Sequence, residues 1–254
     1  MSMSLGEWSL FAGVLCFGIF VQSAAGFAAG LLIVPLLMFA GFPLPAAMAA
    51  LLVATVPQNI GGVWSLRKHI QPRQIVWPAV GRLVGLPVGI AGLYLTRNWS
   101  PILVRQFVGM MVLLVTLSFI FLRVKPREHL HPAWAFLAFP MSGLMQGIVG
   151  MGGPPMVFWV AAHDWKTERS RGFLFALYLI GLLPVVVLLY WTFGDQVLEP
   201  SLAAILVFPL LIPATHLGVR FGTWLGRDRL RALTYTLLLC VGIAGIAAPL
   251  LRGY

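Results

Sequence analysis

The stretch QGIVGMGGPP, residues 146–155, lies in the middle of an apolar run that extends from residue 133 to residue 163. One continuous helix of these 31 residues would be about 47 Å long, whereas the hydrocarbon core of a bilayer is about 30 Å thick. Glycine weakens a helix, and proline lacks the backbone N–H that a helix interior needs. The run is therefore predicted to form a helical hairpin that breaks at this stretch.

The composition of the whole chain places it in a membrane. Of its 254 residues, 60% are hydrophobic and only 9% are charged, against about 25% charged residues in a typical soluble domain. A water-soluble fold could not bury this much apolar surface, which excludes a soluble enzyme or a nucleic-acid-binding domain despite the net charge of +10. The sequence shows no paired acids, metal-ligand cluster or nucleotide-binding loop, so we expect no enzymatic activity, cofactor or metal.

Apolar runs separated by polar connections predict an all-α polytopic membrane protein with eight segments and up to ten helices. Six segments have the length of one crossing. The other two are too long, and the first of them also contains a glycine-rich break, AAGFAAG, at residues 24–30. The predicted segments are residues 8–41, 46–65, 75–95, 102–122, 133–163, 171–193, 200–220 and 232–251.

Positive charges predict how these segments thread through the membrane. Four connections hold 13 of the 17 lysine and arginine residues, and the positive-inside rule places all four on the cytoplasmic side. Only segment 133–163 separates the second of these connections from the third, so it must cross an even number of times, either as a re-entrant hairpin or as two short spans. If segment 8–41 does the same, both termini are external. The four connections are residues 66–74, 123–132, 163–171 and 220–231.

The two halves of the chain follow one plan, a broken hairpin and then three full spans. A shift of 124 residues places Gln22 on Gln146 and Gly26 on Gly150. Because three is an odd number, the second half starts on the opposite side of the membrane. This predicts inverted-topology repeats, which are typical of secondary transporters that work by alternating access. The predicted domains are a first repeat over residues 1–122, a cytoplasmic linker over 123–132 and a second repeat over 133–254.

Glycines spaced by four occur in two of the later segments. Small residues at this spacing let helices approach closely in lipid, so we interpret both sets as packing surfaces. They are Gly81, Gly85 and Gly89 in the first half, and Gly218, Gly222 and Gly226 in the second.

The two helix breaks are the predicted binding site. Irregular backbone within a membrane must be buried in protein or line a cavity, and a helix N-terminus favours anions. All seven acidic residues map to termini or connections, which disfavours cation transport and favours an anionic or neutral substrate. Inverted repeats would bring the two breaks together as one anion site. The predicted substrate-binding residues at the breaks are Gln22, Ser23, Gly26, Gln146, Gly150, Gly152 and Gly153.

Three further polar residues lie within apolar segments. Asn59 and Arg82 are additional candidates for substrate binding, because an arginine within a span is costly and is a functional candidate by default. His216 could gate the pathway or relay a proton. Other interpretations remain open: the amide side chains could bond neighbouring helices, Arg82 could extend its charge to the cytoplasmic face, and His216 could be a satisfied buried histidine.

The two glycine-rich motifs resemble those of the sulfite exporter TauE/SafE family of bacterial membrane permeases. One motif covers residues 22–30 and leads to Pro35, and the other covers residues 146–155. The resemblance implies a multi-pass permease of the inner membrane that moves sulfite, organosulfonates or other small anions. Ala28 and Ala29 stand where family members often carry glycine. A passive anion channel and a non-transporting membrane subunit or assembly factor remain alternatives, and the sequence leaves the oligomeric state open.

Overall fold

The computed structural model describes residues 4–122, 124, 126, 127 and 130–251, with side chains for all of these except 227, 228 and 248–251. Arg123, Lys125 and Arg252, cations that bear on the predicted topology, lie outside the described residues. The described chain is helical, apart from a single β-bridge between Arg127 and His163. Its α-helices are α1 Leu5–Ala25, α2 Ala29–Phe39, α3 Leu44–Ala54, α4 Val56–Leu66, α5 Pro72–Leu95, α6 Pro101–Phe121, α7 Ala133–Val149, α8 Gly153–Ala161, α9 Thr167–Phe193, α10 Asp195–Leu206, α11 Phe208–Leu225 and α12 Arg227–Leu251.

The helices confirm a polytopic membrane protein. Among the described residues, six helices are long and apolar enough to cross a membrane, or seven if the bent pair α10 and α11 counts as one span. Short 3-10 turns at Arg67–His69 and Thr96–Asn98 flank α5. The cations Arg67, Lys68 and Arg97 therefore lie in the short turns at the two ends of α5.

Both predicted glycine breaks are present. Helix α1 ends at Gly26, whose φ of +84° is a left-handed conformation that suits glycine, and α7 ends in the same way at Gly150 with φ +72°. In each case the glycine N–H donates to the carbonyl of a glutamine four residues earlier, Gln22 or Gln146. The first break also holds Ala28 at φ +101°, a left-handed conformation that costs an L-amino acid energy and is reached easily by glycine.

Predicted segments 46–65 and 200–220 are each interrupted once, so the described chain has more than the ten helices expected, although Leu44–His69 still counts as one of the six candidate spans. The first region divides between α3 and α4 at Thr55, and the second divides at Val207, where α10 and α11 are bent by 65°. Each new helix carries a proline as its second residue, Pro57 or Pro209. Because proline has no backbone N–H, it cannot continue the hydrogen-bond ladder of the preceding helix.

The connection between predicted segments 171–193 and 200–220 is helical, because α10 begins at Asp195 and includes Glu199. An acidic side chain in the first turn of a helix is favoured by the helix dipole, which accounts for Asp195 at this position. Both side chains are exposed, so neither adds a buried acid.

The chain divides into two compact units. Unit 1 consists of Met1–Ala54, Thr96–Arg123 and Asp195–Tyr254. Within it, α1 packs against α11, α6 against α12, and α3 against α10. The α1–α11 contact is close because a Cβ at Gly218 would overlap the carbonyl oxygen of Phe20, and one at Gly222 would lie 2.8 Å from the carbonyl oxygen of Ala24.

Unit 2 consists of Thr55–Leu95 and Val124–Gly194. Within it, α5 packs along α7, and α9 contacts α4, α5 and α8. Helices α5 and α7 approach backbone to backbone: a Cβ at Gly85 would overlap the carbonyl oxygen of Pro140, and one at Gly89 would overlap that of Leu144.

These contacts confirm the packing interpretation for both glycine sets, with one exception. Gly226 has φ +80° and ends α11 instead of lying within the helix contact. The close approach of α5 and α7 has a direct consequence for Arg82, since it brings this part of α5 against the break that follows α7.

Candidate functional site

A cluster of polar groups lies inside unit 2, where α5, α7, α8 and α9 meet. Helix α5 contributes Arg82, α7 contributes Ser142 and Gln146, and α9 contributes the backbone of Leu177. The glycine-mediated α5–α7 contact fixes the first two helices, since a Cβ at Gly143 would overlap the carbonyl oxygen of Arg82. The cluster therefore depends on close packing as much as on its polar residues.

Arg82 is buried, with 4% of its surface exposed, and is the only charged side chain among the buried residues that the structure describes. Its Nη1 donates to the carbonyl oxygen of Leu177 at 2.9 Å, and its Nη2 donates to Oε1 of Gln146 at 3.2 Å. Both acceptors are uncharged, and Nε has no hydrogen-bond partner within the described chain. Extension of the side chain to the cytoplasmic face, one of the interpretations of the sequence, is therefore wrong.

Gln146 connects Arg82 to the second break. Its Oε1 accepts hydrogen bonds from Arg82 and, at 3.2 Å, from the backbone N–H of Gly152. Because both neighbours of this atom are donors, the atom must be the oxygen of the amide, which fixes the orientation of the group. The amide Nε2 is buried without a partner among the described residues. A buried, unsatisfied N–H is costly and suits an acceptor supplied by a ligand.

The backbone at the start of α8 has fewer free N–H groups than the sequence predicts. The N–H of Gly152 is already bonded to Gln146, and Pro154 and Pro155 have none. Ser142 Oγ donates to the carbonyl oxygen of Gly152 at 2.5 Å, which ties the break to α7 from the other side. Side chains, rather than a row of helix-end amides, thus provide most of the donors in this cluster.

Gly152 has a packing role that the sequence does not reveal. A Cβ there would lie 2.7 Å from the carbonyl oxygen of Ser142 and 2.8 Å from Oε1 of Gln146. Contact of Gly150, Gly152 and Gly153 with a substrate stays a prediction. A bulky replacement at Gly152 would disturb the break itself, so loss of activity in such a variant would not identify a ligand contact.

Two residues of α9 complete the surroundings of Arg82, and sequence reasoning missed both. The ring of Tyr178 has its centroid 5.6 Å from Cζ of Arg82, and its hydroxyl would lie 2.7 Å from a Cβ at Gly153. A Cβ at Gly181 would lie 3.0 Å from Nη1 of Arg82. The signal available in the sequence is a tyrosine and a glycine within the otherwise apolar run of residues 173–189.

Asn59 lies in α4 of the same unit and is 1% exposed, and its Oδ1 has no partner within the described chain. No hydrogen bond joins it to Arg82 or Gln146 in the part of the chain that the structure describes. It stays a predicted ligand on the strength of its burial alone.

The first break lies in unit 1 and shares one feature with the second. Gln22 Oε1 accepts the backbone N–H of Ala29 at 3.1 Å, so at both breaks a glutamine side chain bonds a backbone N–H near the start of the second helix. Ser23 is buried and its Oγ donates to the carbonyl oxygen of Ile19 at 2.7 Å. Gly26 forms the left-handed end of α1. Direct substrate contacts from these three residues stay predictions.

His216 is exposed and lies on α11 in unit 1, with Nδ1 2.9 Å from the carbonyl oxygen of Ile212. The interpretation as a buried histidine is therefore wrong, while a gating role stays a prediction. Among the described residues, no group of three or more His, Cys, Asp or Glu side chains could hold a metal ion.

Comparison with known proteins gives a consistent result over nearly the full chain. A curated protein of Cupriavidus necator, named "Probable sulfite/organosulfonate exporter TauE", is 21% identical over 238 residues, which cover 93% of this chain and 92% of that protein. No solved structure matches the chain significantly. The family model for the sulfite exporter TauE/SafE matches residues 10–245. The chain thus belongs to the sulfite exporter TauE/SafE family and is a multi-pass membrane transporter.

Proposed function

We propose that this chain is a secondary transporter that moves sulfite or organosulfonate anions across the bacterial inner membrane, with the substrate bound beside Arg82 and Gln146 in unit 2. The family is described as one of sulfite exporters, and the name of the Cupriavidus necator relative adds organosulfonates. Both substrates present negatively charged oxygen atoms. These oxygen atoms can accept hydrogen bonds from the unpartnered N–H donors of unit 2, Arg82 Nε and Gln146 Nε2.

The single observation that carries the proposal is the state of Arg82. A buried arginine usually pairs with a carboxylate, because desolvation of an uncompensated charge costs several kcal/mol. Here the guanidinium bonds only uncharged oxygens, and its Nε and the neighbouring Nε2 of Gln146 have no acceptor among the described residues. A small oxyanion supplies both the charge and the acceptors.

The packing within each unit supports inverted repeats over residues 1–122 and 133–254. In unit 1, helix α1 of the first half packs against α11 of the second half. In unit 2, helix α7 of the second half packs against α5 of the first half. The first helix of each broken pair thus packs against a glycine-striped helix of the opposite half, and at each break a glutamine side chain bonds a backbone N–H. Such repeats support transport by alternating access.

We infer further that both termini are external and that connection 123–132 is cytoplasmic. This arrangement places 13 of the 17 cations inside, in agreement with the positive-inside rule. Single cysteines at residue 4, in connection 123–132 and at residue 252 can be labelled with an impermeant reagent, on a background without the free thiols Cys16 and Cys240. We expect periplasmic labelling at residues 4 and 252 and none in connection 123–132. Labelling of residue 4 from the cytoplasm alone would contradict the inverted-repeat proposal.

Transport can be tested in proteoliposomes with radiolabelled methanesulfonate. We expect saturable uptake that sulfite inhibits. Gln146→Ala should weaken binding by about 1–2 kcal/mol, or roughly 5- to 30-fold, because one hydrogen bond to a charged group is lost. Thr116→Val is the matched control, since Thr116 is also buried and bonds only within its own helix, at the carbonyl oxygen of Val112.

The outcomes separate the alternatives. Uptake that does not saturate would indicate a passive channel. Absence of both uptake and binding in folded protein would indicate a non-transporting subunit, and saturable cation uptake without an anion would contradict the proposed substrate class.

A further inference from the structure

The charge balance of the Arg82 cluster narrows the substrate class beyond an oxyanion in general. Arg82 contributes one positive charge, and each group that it bonds is neutral: the carbonyl of Leu177 and the amide of Gln146. The aromatic ring near its Cζ belongs to Tyr178, also neutral in its usual form. The groups that the structure places around the guanidinium therefore leave it with a charge of +1.

We propose that this site selects monovalent oxyanions, such as a sulfonate or hydrogen sulfite, over divalent ones such as sulfate. This inference rests on the proposed function and specifies the substrate of the same site. A monovalent anion makes the loaded site neutral. A divalent anion would bring a second negative charge out of water without a partner, at a cost that grows with burial.

The arrangement of donors fits a singly charged group with several oxygens. Arg82 Nε and Gln146 Nε2 are both buried N–H groups that lack an acceptor within the described chain. They belong to side chains joined by one hydrogen bond of 3.2 Å, so they lie on neighbouring groups, and we infer that each bonds a different oxygen of one anion. The second hydrogen bond requires a second oxygen on the anion but no second negative charge. The site therefore suits an anion that has several oxygen atoms and a single negative charge.

The test compares two anions that share a tetrahedral sulfur centre and differ in charge. Methanesulfonate carries one negative charge and sulfate carries two. Binding of each to purified protein is measured by calorimetry at constant ionic strength, since exposed charges are screened by salt. We expect methanesulfonate to bind tighter, by a factor on the order of 100. Sulfate that binds as tightly as methanesulfonate would overturn the charge selection.

Methylphosphonate provides a control of the same shape. It carries one charge in mildly acidic solution and two in alkaline solution, whereas methanesulfonate carries one throughout. We expect the affinity for methylphosphonate to fall as the pH rises, while that for methanesulfonate stays constant. An affinity for methylphosphonate that rises on double ionisation would contradict the inference.

A charge-neutralising variant tests the site from the side of the protein. Gln146→Glu keeps the shape of the side chain and places a carboxylate where Oε1 lies 3.2 Å from Nη2 of Arg82. We expect methanesulfonate affinity to fall on the order of 100-fold, because the internal carboxylate already compensates the guanidinium. Unchanged affinity in this variant would overturn the inference.

Failure of the selection and failure of the proposed function give different results. If methanesulfonate and sulfate bind with equal affinity, the proposed charge selection is wrong but the proposed function stands. If neither they nor sulfite bind to folded wild-type protein, the proposed function itself is wrong.

Discussion

Arg82→Gln is expected to weaken anion binding strongly while leaving the fold intact. Loss of one partner from a buried charge pair costs about 2–5 kcal/mol, which corresponds to a decrease in affinity of roughly 30- to 5000-fold. In the empty protein the same change removes a desolvated charge that bonds only neutral oxygens, so the free energy of unfolding should stay level or increase. The readouts are methanesulfonate binding by calorimetry and thermal unfolding in detergent.

A loss of affinity without a loss of stability distinguishes a ligand-binding arginine from a structural one. Arg82→Lys is the conservative variant and should retain part of the affinity, because it keeps the charge but loses the planar set of donors. Arg105→Gln is the matched control, since Arg105 also lies in a membrane-spanning helix, α6, but only half-buried and in unit 1. Destabilised protein with unchanged affinity in Arg82→Gln would identify Arg82 as structural.

Gly143→Ala is expected to have the largest effect on stability. The added Cβ would overlap the carbonyl oxygen of Arg82 and lie 2.9 Å from the backbone nitrogen of Leu86. Backbone atoms cannot rotate out of the way as the end of a side chain can, so α5 and α7 must separate. We expect a loss of about 2–3 kcal/mol in the free energy of unfolding, together with weakened binding because Arg82 moves with its backbone.

The matched control is Gly61→Ala, the same substitution in α4 of the same unit. A Cβ at Gly61 meets no atom within 4 Å, so this change should be neutral or stabilise the helix by up to about 1 kcal/mol. Thermal unfolding in detergent measures both variants. Equal melting temperatures for the two would contradict the close α5–α7 contact.

The positions of the two glycine breaks were predictable because length and local chemistry agree there. A run of 31 residues is too long for one crossing, and Gly150 is a residue that ends helices. The breaks at Thr55 and Val207 were missed because residues 46–65 and 200–220 have the length of one span, so length gave no warning. Pro57 and Pro209 were the available signals, and prolines within membrane helices are too common to decide alone.

The site was predictable residue by residue but not as an arrangement. A buried arginine and a glutamine beside a break could be recognised as unusual in an apolar run. Which groups they meet depends on contacts between distant parts of the chain: Arg82 bonds Leu177, 95 positions away, and Gln146, 64 positions away. The sequence shows how far Arg82 lies from the end of its segment. Which neighbours its side chain meets depends on how glycine packing orients α5 against α7.

The single positive charge of Arg82 also has an electrical consequence. In the proposed alternating-access cycle, the site is neutral with a monovalent anion bound and carries +1 when empty, so one full cycle would transfer one negative charge across the membrane. Moving one elementary charge through a membrane potential changes the free energy by about 2.3 kcal/mol per 100 mV. In a cell with a negative interior, each 100 mV therefore favours outward movement of the anion by about 50-fold at equilibrium. If the proposed cycle is right, the membrane voltage would be sufficient to drive export without a coupled ion.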